Sequence, residues 1–185
     1  MPGAGLKRAF LAVVPPDEVL DAIESLLDRP KSSRFAWTRR DQWHVTLQFY
    51  GRVADLDGLH EGVRAAAAAW DPFRIRIEGG GAFPNPKNAR VFWLGVGGAD
   101  TLIDLHATIA AATRPFIDRR DRIPLLPHLT LARVKRGNDL TADVDLLAGT
   151  MVGVPWTVTE ILLLESETRR GGAVYTEQGR YRIGG

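Results

Sequence analysis

The sequence predicts an antiparallel α+β fold built from two similar halves that face one cleft. Three observations carry this. Strand-like segments outnumber helical ones and are often joined by short turns, whereas a parallel sheet needs a long crossover between strands. The order strand, helix, strand occurs twice, over residues 8–50 and again over 90–134. Each copy ends in a strand that opens with the same kind of tetrad, His44-Val45-Thr46-Leu47 and His128-Leu129-Thr130-Leu131. Such a repeat reads as two pseudo-symmetric lobes of one domain spanning 1–185.

Each element has its own local reason. Residues 8–14 are short, apolar and closed by Pro15 and Pro16, as a buried strand is. Residues 17–28 place Val19, Leu20, Ile23, Leu26 and Leu27 at helical spacing, with Pro16 and Asp17 as the start signal. Residues 35–38 make a short strand, and 43–50 alternate until Gly51 stops them. Residues 56–70 are alanine-rich and helical. In 73–78, Phe73, Ile75 and Ile77 alternate with Arg74 and Arg76, the mark of a half-exposed strand. A loop is expected next, where Gly79, Gly80 and Gly81 precede Pro84 and Pro86. Residues 90–96 form an apolar strand stopped by Gly97 and Gly98. Residues 101–117 form the second long helix, which Pro115 shortens or kinks. A strand over 128–134 follows Pro127, then a turn at 136–139 and a short helix within 144–151. One strand over 156–165, a turn at Gly171 and Gly172, and a last strand over 174–183 complete the chain.

Composition narrows the chemistry. The chain has 185 residues, 45% of them hydrophobic and 25% charged, ordinary values for a soluble globular protein able to bury its own core. It has no cysteine, which excludes disulfides, thiolate metal sites and a cysteine nucleophile. The net charge of +2 permits an anionic ligand without demanding one. The apolar run from Ala9 to Val14 is too short for a signal peptide core or a membrane span, so a cytoplasmic protein without a membrane partner is expected.

The tetrads carry the candidate chemistry. Strand side chains alternate with period two, so His44, Thr46 and Gln48 should share a polar face, with Val45, Leu47 and Phe49 on the core face. His128 and Thr130 pair in the same way, with Leu129 and Leu131 inward. Each strand thus offers an imidazole beside a hydroxyl. Cleavage of a cyclic phosphodiester needs one group to take a proton from water and another to protonate the leaving oxygen. Imidazole, with a pKa of about 6.5, serves in either role near neutrality. The hydroxyls can donate to phosphate oxygens where charge builds up. A lone His-x-Thr on a strand carries little weight, because threonine is common there. Two of only four histidines in equivalent places of a repeat carry much more. The other two, His60 and His106, fall in helices and read as structural. Neither tetrad has a carboxylate at ligand spacing, so no metal and no cofactor are expected.

These residues bring a family into view. The paired His-x-Thr-x tetrads resemble those of the 2H phosphoesterase superfamily. Trp37 with the block from Trp43 to Gly51, Gly81-Ala82-Phe83-Pro84, Arg90-Val91-Phe92-Trp93-Leu94-Gly95 and the tetrad that ends in Arg133 are similar to the bacterial and archaeal RNA 2′,3′-cyclic phosphodiesterases, once called 2′-5′ RNA ligases. The resemblance implies a bilobal fold, with antiparallel sheets lining a central cleft and helices outside. It implies hydrolysis of a terminal RNA 2′,3′-cyclic phosphate to a 2′-phosphomonoester. His44 would then be the general acid and His128 the general base. Thr46, Thr130 and Arg133 would hold the phosphate, although pleat parity sets Arg133 opposite His128 unless a bulge or twist brings it round. The family often has lysine where this chain has Gln48, which would cost the RNA site a positive charge.

An RNA end is held by stacking and by cations. Phe83 is the expected stacking ring, and Arg34, Arg39 and Arg40 are the expected basic rim. Phe10 and Trp93 sit in apolar strands and read as core. A monomer acting on RNA or an oligonucleotide is the expectation. Two other functions fit the same residues: ATP-independent 2′-5′ joining of RNA ends by the reverse chemistry, and a non-catalytic nucleotide- or RNA-binding module.

Overall fold

The computed structural model describes residues 6–27, 34–53, 55–117, 124–135, 137–170 and 172–184. Asp28, Arg136 and Gly171, which enter the expectations above, lie outside them.

Strand β1 (Ala9–Val13) is buried along its whole length, as its apolar run requires. It lies between two antiparallel partners, β3 (Val45–Gly51) and β8 (Glu160–Arg169), and β8 pairs with the last strand, β9 (Gly172–Arg182). The second half repeats this arrangement. There β5 (Val91–Gly97) lies between β6 (His128–Val134) and β4 (Phe73–Phe83), and β4 pairs with β7 (Met151–Val158). Short β2 (Phe35–Trp37) adds to β6. The sheet order is therefore β7-β4-β5-β6-β3-β1-β8-β9. Strands β3 and β6 join the two sides of the sheet through the pairing of Val45 with Leu129, both fully buried.

Helix α1 (Asp17–Leu26) begins after Pro16, with Asp17 and Glu18 in the first turn where the helix dipole favours acids. It follows β1 yet packs on β7 of the other half, where Gly153 lets Val19 and Ala22 approach closely. Helix α2 (Leu56–Ala68) is capped by the Asp55 carboxylate, which accepts from the Gly58 N–H at 2.9 Å. It packs on α3 (Ala99–Thr113), which gives way to a 3-10 turn at Arg114–Phe116 containing Pro115. Helix α4 (Thr141–Leu147) starts earlier than the apolar spacing indicates, because the Asp139 carboxylate accepts from both the backbone and the hydroxyl of Thr141.

Two strand boundaries differ from the sequence expectation. The glycines at 79–81 are not a loop: β4 runs through them to Phe83, with a bulge between Ile77 and Gly80. A Cβ at Gly81 would overlap the Trp93 indole, so the glycine makes room for a ring rather than a turn. The single strand expected over 156–165 is two. The chain leaves β7 after Val158 and re-enters as β8 at Glu160, passing from one half of the sheet to the other. Polar Thr159 and Glu160 stand at the crossing, but nothing in the local pattern marks a change of sheet partner.

The main core fills one side of the sheet, around Leu11, Trp43, Leu47, Tyr50, Leu94 and Leu105. Phe10, Ala12, Leu162 and Leu164 form a separate apolar cluster with Tyr175 against it. By strand parity Phe10 and Ala12 face away from Leu11 and Val13, so this cluster floors the other side, where the cleft lies.

Candidate active site

The cleft encloses about 680 Å³ and is lined by both tetrads, with His44 and Thr46 from one half and His128 and Thr130 from the other. The Val45–Leu129 pairing determines how they meet. In an antiparallel register this pair sets His44 across from Thr130 and Thr46 across from His128. Each imidazole therefore stands beside the hydroxyl of the opposite tetrad as well as its own.

The two rings are held alike. His44 Nδ1 lies 2.7 Å from the Gln42 carbonyl, and His128 Nδ1 lies 2.7 Å from the Leu126 carbonyl. A carbonyl can only accept, so each Nδ1 carries the hydrogen. Nε2 is then the atom left for proton exchange in both rings. Aromatic side chains wall each imidazole. Phe10 and Tyr175 stand 4.9 and 5.1 Å from His44, ring centre to ring centre. Phe83 and Trp93 stand 4.9 and 5.9 Å from His128. Burial pushes His44 down to about 4, against the Gln42 carbonyl, which favours the cation, while His128 adds to the lowering. Burial also lowers His128, opposed by the Leu126 carbonyl and reinforced by Arg133.

Both tetrad strands bulge at the same place. On β3, Ala12 pairs with Thr46 but Leu11 pairs with Gln48, which leaves Leu47 as an extra residue. On β6, Trp93 pairs with Thr130 but Phe92 pairs with Ala132, which leaves Leu131 as the extra residue. One extra residue reverses every side chain beyond it. Gln48 is thus 4% exposed and turned to the core, where its amide donates to the Phe49 carbonyl, while Phe49 is 56% exposed in the cleft. This corrects the alternation expected for residues 44–49. It also removes the concern over the missing lysine, since position 48 does not face the cleft. The bulge on β6 brings Arg133 onto the His128 face, and Arg133 lines the cleft. Thr38 clamps that bulge: its hydroxyl lies 2.9 Å from the Thr130 carbonyl and 2.8 Å from the Leu131 carbonyl, and it accepts from the Trp43 indole at 2.9 Å.

Comparison with known proteins agrees with this geometry. The sequence profile of the 2′-5′ RNA ligase superfamily matches residues 15–170. The chain belongs to that superfamily. It is 34% identical to the RNA 2′,3′-cyclic phosphodiesterase of Methanothermobacter thermautotrophicus, over 95% of this chain and 98% of that one. It is 31% identical to the protein of the same name from Thermus thermophilus, over 96% and 91%. The crystal structure of TT0787 from Thermus thermophilus superposes with a TM-score of 0.74 at 27% identity, covering 96% and 98% of the two chains.

In this superfamily member the expected rim divides. Arg39 lines the cleft, where Asp41 holds it through two hydrogen bonds of 2.9 Å. Arg34 is ion-paired to Asp143 at 2.8 Å, and Arg40 reaches back to Asp17 and Asp21 on α1. Neither of these two is among the cleft-lining residues. Phe83 lines the cleft as expected, from the end of β4 rather than from a loop. Phe10 and Trp93, read as core, also press on the histidines. Phe49, Tyr175 and Arg8 line the cleft without having been singled out as site residues. Phe49 was hidden by the bulge, and nothing local in the sequence connects Arg8 or Tyr175 to the tetrads. Among the described residues no three histidine or acidic side chains gather as metal ligands, and no helix is long and apolar enough to cross a membrane.

Proposed function

We propose that this chain hydrolyses a terminal RNA 2′,3′-cyclic phosphate to a 2′-phosphomonoester by two-histidine acid/base catalysis. The observation that carries the proposal is the matched pair of imidazoles, each fixed through Nδ1 to a backbone carbonyl, in one cleft with two threonines and Arg133. The names of the relatives, RNA 2′,3′-cyclic phosphodiesterase, support the choice of substrate.

In this reading Nε2 of His128 takes a proton from water as the water oxygen bonds to phosphorus. The bond from phosphorus to O3′ breaks, and Nε2 of His44 gives its proton to O3′. Thr46, Thr130 and Arg133 hold the non-bridging oxygens, whose charge grows in the transition state. A buried His44 holds its proton poorly by itself, and the phosphate anion supplies the opposing field. Substrate binding thus sets the acid in its working state. Phe83 and Phe49 offer rings for the terminal base.

Phosphorus NMR of the protein with a short RNA ending in a 2′,3′-cyclic phosphate, in EDTA, tests this directly. A resonance of a 2′-phosphate is expected. A 3′-phosphate product would reverse the leaving group assigned to His44, and no conversion near neutral pH would end the proposal.

A further inference from the structure

Resting on that reading, we propose that the cleft holds a second anion subsite, built by Arg8, Arg39 and the Tyr175 hydroxyl, for the phosphodiester one nucleotide upstream of the cyclic phosphate. The enzyme would then select RNA ends over mononucleotides.

The cations in the cleft exceed what one phosphate needs. A nucleoside 2′,3′-cyclic phosphate carries one negative charge, which the two tetrads and Arg133 already meet. Yet Arg8 and Arg39 line the same cleft, and among the described residues no aspartate or glutamate lines it. Asp41, outside that lining, offsets Arg39 in part.

Position makes the excess specific. Arg8 lies two residues before Phe10, so β1 parity turns it toward the cleft. Its Nη1 donates to the Thr168 hydroxyl at 2.8 Å, which anchors the guanidinium on the β8–β9 hairpin. Tyr175 comes from that hairpin. Its ring stands edge-on to His44 and to Phe10, both at 5.1 Å, and Tyr175 lines the cleft beside the proposed catalytic imidazole. Burial raises the Tyr175 pKa, with Arg133, Arg8 and Arg39 opposing and Asp41 reinforcing, so the hydroxyl stays a donor amid three arginines. Gln42 and Arg39 both reach the Ala173 carbonyl, at 2.7 and 3.5 Å, tying the hairpin to the segment that carries His44. A phosphodiester bound here would be adjacent to the reacting phosphate in the chain, held by one phenol and charge-assisted hydrogen bonds.

Among the described residues, the other half is furnished differently. Around His128 stand Phe83 and Trp93, and neither offers a hydroxyl. Among the described residues the repeat is thus symmetric in its catalytic pairs and asymmetric in what surrounds them, which would give the bound strand a direction.

The test compares kcat/KM for adenosine 2′,3′-cyclic phosphate with that for the dinucleotide ApA ending in the same group, in the wild type, Arg8→Gln and Tyr175→Phe. The phenylalanine keeps the ring that packs on His44, so it reads the hydroxyl alone. We expect the wild type to favour the dinucleotide by about tenfold or more, and each variant to lose most of that ratio. A ratio unchanged in both variants overturns the subsite, and so does an equal loss on both substrates. Should the wild type turn over neither substrate, the proposed function fails by itself. Calorimetry with adenosine 2′-phosphate and its ApA counterpart then decides the subsite. Tighter binding of the dinucleotide that Arg8→Gln abolishes supports it, and equal binding overturns it.

Discussion

Phe49 and Arg133 occupy the same place in the two halves of the chain. Each lies five residues after its histidine, and each is turned into the cleft by a one-residue bulge, at Leu47 and Leu131. The repeated backbone thus delivers a ring from one half and a cation from the other. The device is shared and its payload is not.

The bulge on β6 depends on Thr38. Thr38→Val should therefore lower kcat/KM by releasing Arg133, and should cost on the order of 1–3 kcal/mol of stability through loss of the hydroxyl's hydrogen bonds to the Trp43 indole and the bulge carbonyls. Thr38→Ser should restore both. Chemical denaturation and turnover are measured on the same preparations. A Thr38→Val protein with full activity and reduced stability would show that the clamp serves the fold alone.

Gln48→Met should leave turnover within about twofold of wild type, because the side chain sits on the core face. A large rise in KM for RNA would place residue 48 in the cleft and contradict the bulge.

His44→Ala and His128→Ala should each lose roughly 10²–10⁴-fold in kcat, the usual worth of a positioned proton-transfer group. Binding of the 2′-phosphate product, measured by calorimetry, should persist. Variants that still turn over substrate at a tenth of the wild-type rate would be incompatible with the roles given to the two rings.

Stability should fall as the solution is acidified from pH 6.5 to 4. His44 titrates at about 4 in the fold and near its ordinary 6.5 when unfolded. Above 6.5 both states are neutral. Below it the unfolded chain binds the proton first, so folding loses up to roughly 3 kcal/mol by pH 4. In His44→Gln this part of the decline should vanish. The same burial predicts that inorganic phosphate raises the His44 pKa, which imidazole resonances in proton NMR would follow. A pKa unmoved by saturating phosphate would show that the anion does not sit beside His44.

The α+β class, the repeat and the two histidines were legible in the sequence because each follows from local pattern. A strand of period two, a helix of period 3.6 and a tetrad that occurs twice need no knowledge of contacts. Local pattern failed where tertiary pairing overrode it. Gly79, Gly80 and Gly81 read as a loop, and pairing with β5 made them strand. Arg34 and Arg40 read as rim, and acids distant in sequence took them: Asp143 for one, Asp17 and Asp21 for the other.

The sequence by itself determined which groups are proposed for the chemistry, His44 and His128 with Thr46 and Thr130, since repetition singles them out. Only the tertiary structure decided what surrounds them. A bulge is a mismatch between two strands and has no signature in either one, so the inward turn of Phe49 and Arg133 and the outward turn of Gln48 waited for the pairing of β1 with β3 and of β5 with β6. Arg8 and Tyr175 stand far apart in the chain. They meet at the cleft only because β8 brings the last hairpin beside β1.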